Sequence, residues 1–274
     1  MWREVLVAVL YGLLEGVTEW LPVSSTGHLI LFGRMLSFSV RQEFSELFLV
    51  LVQLGAILAV AVLFWQRLSP FCRDAGKRRE VLLLWSKVLL ATLPSVVMGL
   101  LLDDWMEAHL YTPVVVAVAL IVYGIAFLLL EKRRKRIPFL GETEEIGTRT
   151  AFLVGCFQVL SLVPGTSRSG ATILGGILLG LSRPAAAEFS FFLGVPTMLG
   201  AGALKCAKFF GAGFTLTVAE AVILSVGVAT AFLTSLAVIR FLMDFVRRHS
   251  FAPFGVYRIL LGGAVLLVYL MGEV

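Results

Sequence analysis

Apolar residues fall along this chain in runs that match the length of about 20 residues a membrane-spanning helix needs. Six such runs, residues 44–64, 81–102, 113–130, 184–204, 215–239 and 254–272, are predicted as transmembrane helices. Two more apolar stretches break in the middle. Residues 4–20 read as a helix interrupted at Leu21-Pro22, followed by a short helix over 25–38, and residues 150–163 and 169–182 make a second pair around Pro164. Proline removes a backbone donor and restricts the residue before it, so neither stretch is one continuous span. A re-entrant hairpin fits each better. Non-helical backbone at membrane depth is tolerated where protein or a water-filled cavity surrounds it, so the two turns are the places to look for a site.

Composition and charge agree with this class. The chain is 59% hydrophobic and 15% charged, and its net charge of +5 comes from basic residues in short loops between apolar runs. That distribution sets orientation in a membrane and does not indicate nucleic-acid binding. Arg67, Arg73, Lys77, Arg78 and Arg79 mark one cytoplasmic loop, Lys132 to Arg136 a second, and Arg240, Arg247, Arg248 and His249 a third, while the loop DDWMEAHLYT is acidic and external. Counting spans from these loops brings the first hairpin in from the external face and the second from the cytoplasmic face. The P-V-S-S of residues 22–25 aligns with the P-G-T-S of 164–167, and GAILA at 55–59 resembles LGAGA at 199–203.

The expected fold is therefore an all-α polytopic membrane protein, about six transmembrane helices plus two re-entrant helix hairpins in an inverted repeat. It forms a single integral membrane domain over 1–274, with inverted-topology halves at roughly 1–130 and 150–274. Cys72, Cys156 and Cys206 are widely separated and suggest neither a disulfide framework nor a zinc site. The N-terminal apolar stretch runs into acidic residues without a small-residue cleavage site and reads as retained structure.

Both broken stretches carry polar residues where the bilayer makes them costly, which marks them as functional candidates. Glu15 and Glu19 are four apart, so on a helix both carboxylates lie on one face. In low dielectric they are comfortable with one proton between them or with a shared divalent cation, Mg2+ or Ca2+. Ser24, Ser25 and Thr26 follow Pro22 at the start of the next helix, where a hydroxyl can also be a cap. His28 stands within a few residues of two serines and two carboxylates, which favours a chemical role over packing.

In the second stretch, Gly165, Thr166, Ser167, Arg168 and Ser169 form an anion cradle, with backbone N–H groups at a helix N-terminus and the donor fork of a guanidinium. Phosphate is the natural guest. The spacing also mimics a nucleotide P-loop, but Ala171 replaces the required lysine and no βαβ context surrounds it. Gln53, Arg183, Glu188 and Arg240 are further polar residues in or beside apolar runs, and Arg258 lies deep enough in its span to reach a phosphate or to snorkel to the interface.

These motifs carry a resemblance. The E-x-x-x-E of Glu15 and Glu19 with Pro22 to His28, and the P-G-x-S-R-S of Pro164 to Ser169, resemble the signatures of the integral-membrane undecaprenyl pyrophosphate phosphatases of the bacitracin-resistance family. The resemblance covers essentially the whole chain. It implies a bacterial inner-membrane enzyme that removes the terminal phosphate of a long polyprenyl diphosphate, recycling the lipid carrier of cell-wall synthesis, with a divalent metal and a site open to the external face. Membrane lipids and the polyprenyl diphosphate are the expected partners, and a homodimer is compatible with the sequence. Two mechanisms fit the residues: attack by Ser25 with His28 or Glu19 as base, or a metal held by Glu15 and Glu19 activating water while His28 protonates the leaving group. A lipid transporter or flippase is the alternative, because inverted hairpins also serve alternating access.

Overall fold

Helix boundaries follow from side chains that satisfy the unpaired backbone groups at helix ends. The computed structural model describes residues 2–33, 38–133 and 143–272. Its helices are α1 Trp2–Thr18, α2 Ser25–Phe32, α3 Gln42–Leu63, α4 Trp65–Leu68, α5 Ala75–Leu110, α6 Pro113–Arg133, α7 Thr148–Val159, α8 Arg168–Leu178, α9 Arg183–Gly211, α10 Val218–Arg248 and α11 Ala252–Leu270. Among the described residues, six helices (α3, α5, α6, α9, α10 and α11) are long and apolar enough to cross a membrane.

The element pattern matches the one expected, with shifted ends. Asp74 caps α5 by accepting from Gly76 N at 2.8 Å, so half of the expected basic loop is already helical. At its other end α5 runs through the expected acidic loop to Leu110, because the residues there have no proline or glycine to stop it before Thr112-Pro113. Thr217 and Glu220 form a reciprocal capping box that starts α10. Arg134, Lys135 and Arg136 of the second basic cluster lie outside the described residues.

Lipid is as apolar as a helix surface, so close packing rather than exclusion of water holds such a bundle together, and small residues permit it. Gly12 of α1 lies so close to α10 that a Cβ there would stand 2.6 Å from the Gly227 carbonyl, and the next turn, Gly16, meets Ala231 and Thr234. The two helices thus run side by side in the same direction. A Cβ on Gly155 of α7 would likewise collide with the Ala91 carbonyl of α5, and Leu162 lies beside Gly99 further along. α6 and α11 cross in opposite directions, with Gly124 and Gly255 each against the other's carbonyl.

Ion pairs fix the remaining directions. α3 runs with α10, joined by Arg41 to Glu220 at 2.7 Å, and against α9, joined by Lys205 to Glu46 at 2.6 Å near one end and Arg67 to Glu188 at the other. Arg183 pairs with Glu131 at 2.5 Å and Glu131 also accepts from Phe251 N at 2.9 Å, which ties the ends of α6, α9 and α11 together. α1 therefore enters with α3 and α10, and α7 enters with α5 and α9. The hairpins α1–α2 and α7–α8 come in from opposite ends of the bundle, and their turns meet part-way along it. Trp20, Phe191, Phe192, Phe127 and Phe251, all fully buried, form the core beneath that meeting point. Leucines and valines such as Leu58, Val62, Leu100 and Leu101 are exposed on the outside, as a lipid-facing surface requires.

Candidate active site

Each hairpin turn ends in a serine held in a backbone conformation that side chains rarely adopt. Ser24 has φ 72° and ψ 109°, and Ser167 has φ 70° and ψ 126°. Both serines are N-caps: Ser24 Oγ accepts from Gly27 N at 3.5 Å and Ser167 Oγ from Gly170 N at 3.2 Å. A positive φ on a non-glycine residue costs about 1–3 kcal/mol and persists where the surroundings over-determine it, commonly at ligand sites. The equivalence corrects the expected alignment by one residue. The caps pair Ser24 with Ser167, whereas matching the prolines paired Ser25 with Ser167; Pro22 is simply one residue nearer its cap than Pro164 is. The same spacing relates Gly12 to Gly155 and Glu15 to Gln158. The first helical position after the cap is then Ser25 in one hairpin and Arg168 in the other.

Those two positions open on one cavity of about 240 Å³. Glu19, Ser24, Ser25 and Thr26 line it from the first hairpin, Ser161, Gly165, Ser167 and Arg168 from the second, and Gln53, Tyr111 and Thr197 from the segments around them. Glu19 and Arg168 are ion-paired across it: Nη2 lies 2.8 Å and Nε 3.1 Å from Oε1. Nη1 of Arg168 donates to Ser190 O at 2.6 Å, and the guanidinium carbon sits 5.6 Å from the centre of the Trp20 ring. Glu15, one turn back from Glu19 and likewise buried, stands against the Glu19 and Gln53 side chains, with its Oε1 left without a hydrogen-bond partner.

The structure keeps five expected site residues off the cavity lining: Glu15, one turn behind Glu19, and His28, Ser169, Thr166 and Arg258. His28 is held off the cavity by its own partners, Nδ1 meeting Ser24 O at 2.7 Å and Nε2 meeting Tyr257 Oη at 2.7 Å. A carbonyl can only accept, so Nδ1 carries a hydrogen. His28 and Tyr257 instead border an apolar cleft with Leu10, Leu13, Leu14, Val17 and Phe32. Ser169 is fully buried and donates towards Glu19 O at 2.9 Å and Leu21 O at 3.2 Å, latching α8 to the first turn. Thr166 is buried, and Arg258 lies behind the turns, bonded to their carbonyls.

Four polar lining residues escaped sequence reasoning as site members. Gln53 did carry a signal, an amide in an apolar run; Ser161, Thr197 and Tyr111 become visible once the helices are placed. Gln158, at the position equivalent to Glu15, is neutral, and its Nε2 donates to Ser95 Oγ at 2.6 Å and Thr197 Oγ1 at 3.2 Å. The two halves of the site are thus unlike in charge, carboxylates on one side and a guanidinium on the other.

Fold and site together define a polytopic membrane protein with an internal polar cavity suited to an anion, built from two opposed helix hairpins. The sequence profile of the family described as bacitracin resistance protein BacA matches residues 8–264, and the chain belongs to that family. It is 54% identical over 277 residues to the undecaprenyl-diphosphatase of Streptococcus thermophilus, covering 97% of this chain and 96% of that one. It is 50% identical over 270 residues to the undecaprenyl-diphosphatase of Enterococcus faecalis, covering 97% of each, and 52% identical over 271 residues to that of Streptococcus pyogenes, covering 97% of this chain and 96% of the relative.

Proposed function

We propose that this protein hydrolyses undecaprenyl diphosphate to undecaprenyl phosphate and inorganic phosphate, recycling the lipid carrier of cell-wall synthesis in the bacterial cytoplasmic membrane. The observation that carries the reading is the convergence of Ser25, Glu19 and Arg168, from two hairpins far apart in sequence, on one cavity inside an apolar bundle. The terminal phosphate sits against Arg168 and the N-terminal ends of α2 and α8, where donors and helix dipoles favour an anion. Ser25 Oγ attacks the terminal phosphorus, the bond to the bridging oxygen breaks, and undecaprenyl phosphate leaves with that oxygen. Glu19 accepts the serine proton as Arg168 shifts from its carboxylate to the phosphate. Water then cleaves the phosphoserine, returning Ser25 and releasing inorganic phosphate. His28, turned away from the cavity, acts through Ser24 rather than as the base.

Among the described residues no group of three or more His, Cys, Asp or Glu converges. A divalent cation nonetheless fits at Glu15, because its buried Oε1 lacks a partner and Glu19 is adjacent. Mg2+ or Ca2+ held there would neutralise charge on the diphosphate oxygens.

The cavity lining reaches exposed Tyr111 at the end of α5, the end away from Arg67, Arg73 and Arg247. By the positive-inside rule that end is external, which supports access from the outer face. The opposed entry of the hairpins supports inverted-topology halves at roughly 1–130 and 150–274, and an architecture of that kind also supports lipid transport. Turnover separates the two readings. Purified protein in detergent should release inorganic phosphate from undecaprenyl diphosphate and lose that activity with EDTA; no release with any divalent metal would leave transport as the reading.

A further inference from the structure

Arg258 has no exposed surface, yet it is a full cation within a membrane-spanning helix. Among the described residues it makes no ion pair with a carboxylate. Its hydrogen bonds go to three carbonyls: Nη1 to Pro22 O at 3.1 Å, and Nη2 to Gly165 O at 2.8 Å and Thr166 O at 2.9 Å. The first belongs to the turn of one hairpin and the other two to the turn of the other. The guanidinium carbon lies 5.5 Å from the centre of the Tyr123 ring, which extends the contact to α6. Nε has no partner, so the two Nη groups fix where the side chain sits.

We infer that Arg258 is the positioning residue that makes one site of two hairpins, holding their turns in register from behind without contacting the phosphate. A guanidinium buried in a bilayer costs about 2.5–3.5 kcal/mol on insertion scales, so packing is a poor reason to keep one there. Its fork of donors suits the task, since one rigid plane can bridge several acceptors. The grip also orients the cradle. In a trans peptide the N–H points opposite the carbonyl, so holding Thr166 O turns Ser167 N–H away from Arg258, and Ser167 lines the cavity. The surrounding fit is tight: a Cβ at Gly170 would stand 3.0 Å from Nη1 and 3.2 Å from Ser167 Cβ, and one at Gly165, which has φ +91°, would stand 2.5 Å from the Val116 carbonyl.

The proposal rests on the phosphatase reading, and turnover by the natural protein is the control that separates failure of that reading from failure of this one. Arg258→Lys, Arg258→Gln and Gly170→Ala are to be compared with the natural sequence for kcat and KM on undecaprenyl diphosphate and for affinity towards methylenediphosphonate, which is not hydrolysed. Loss of register misplaces the nucleophile while Arg168 still holds the anion, and a misplacement of about 1 Å can cost about 100-fold in rate. We expect kcat to fall about 100-fold in Arg258→Gln and about tenfold in Arg258→Lys, with KM and diphosphonate affinity within about threefold of natural. Gly170→Ala, which keeps every charge and presses on Nη1, should lower kcat severalfold with the same unchanged affinity, and it carries the test if Arg258→Gln does not fold. A tenfold or larger loss of diphosphonate affinity in folded Arg258→Gln, with Lys restoring it, would overturn the proposal by making Arg258 a phosphate ligand. Natural kcat in Gly170→Ala or in Arg258→Lys would overturn it as well.

Discussion

Arg168 and Glu19 share one carboxylate oxygen, with Nη2 at 2.8 Å and Nε at 3.1 Å, across 149 residues of sequence. The cation that should hold a phosphate and the carboxylate that shares the cavity with the proposed nucleophile are therefore partners. Neither can take up its role without leaving the other.

Exchange of partners predicts competition between Arg168 and a divalent ion for Glu19. A unit charge about 4 Å away is worth about 4 kcal/mol at an effective dielectric near 20, so removing the guanidinium should be felt strongly at the carboxylates. Arg168→Ala without substrate should bind Mn2+ at least about tenfold more tightly than the natural protein, read by the loss of the free-ion signal in electron paramagnetic resonance. Equal affinity would show that Glu15 and Glu19 do not hold the metal.

The two serines of the first turn have separate tasks. Ser24 caps α2 from a strained backbone, while Ser25 faces the cavity with no cap to make. Ser24→Ala loses the cap and keeps the strain, costing about 1 kcal/mol, whereas Ser24→Gly relieves the strain and should be more stable than Ala by about 1 kcal/mol. Ser167→Ala and Ser167→Gly should rank the same way in thermal melts. If Ala and Gly are equally stable at both positions, the positive φ is not a source of strain.

His28 and Tyr257 form one hydrogen-bonded unit bordering the apolar cleft, 2.7 Å from Nε2 to Oη. Losing a bond of this kind is worth about 1 kcal/mol. Tyr257→Phe should lower kcat/KM about fivefold, and adding it to His28→Ala should change little further, because residues in contact do not behave additively. Fully additive losses would mean that His28 acts at the phosphate independently of Tyr257.

Much of this site was legible in the chain because membranes penalise polar residues so heavily. Glu15, Glu19, Ser25 and Arg168 stood out against apolar runs, and the prolines located both turns. What proline could not give was register. The cap decides which residues are equivalent, and a cap depends on backbone angles that Ser24 and Ser167 do not advertise in their sequence. Direction was hidden too: His28 lies three residues beyond Ser25 on the same helix, yet its bonds to Ser24 O and Tyr257 Oη hold the ring at the apolar cleft and off the polar cavity. Arg258 was visible as a deep cation, but only the folded chain shows carbonyls of both turns within its reach. The extension of α5 to Leu110 was missed because acidic residues were taken as a loop although nothing among them breaks a helix.

On the proposed mechanism the two hairpins form one catalytic machine, with Ser25 from one and Arg168 from the other. Phosphate release from undecaprenyl diphosphate by Ser25→Ala, Arg168→Ala and the double variant tests it most directly. Residues that act as a unit are strongly non-additive, so each single change should cost at least about 100-fold and the double variant should be no slower than the worse single. Near-natural turnover in either single variant, or losses that multiply in the double, would contradict it.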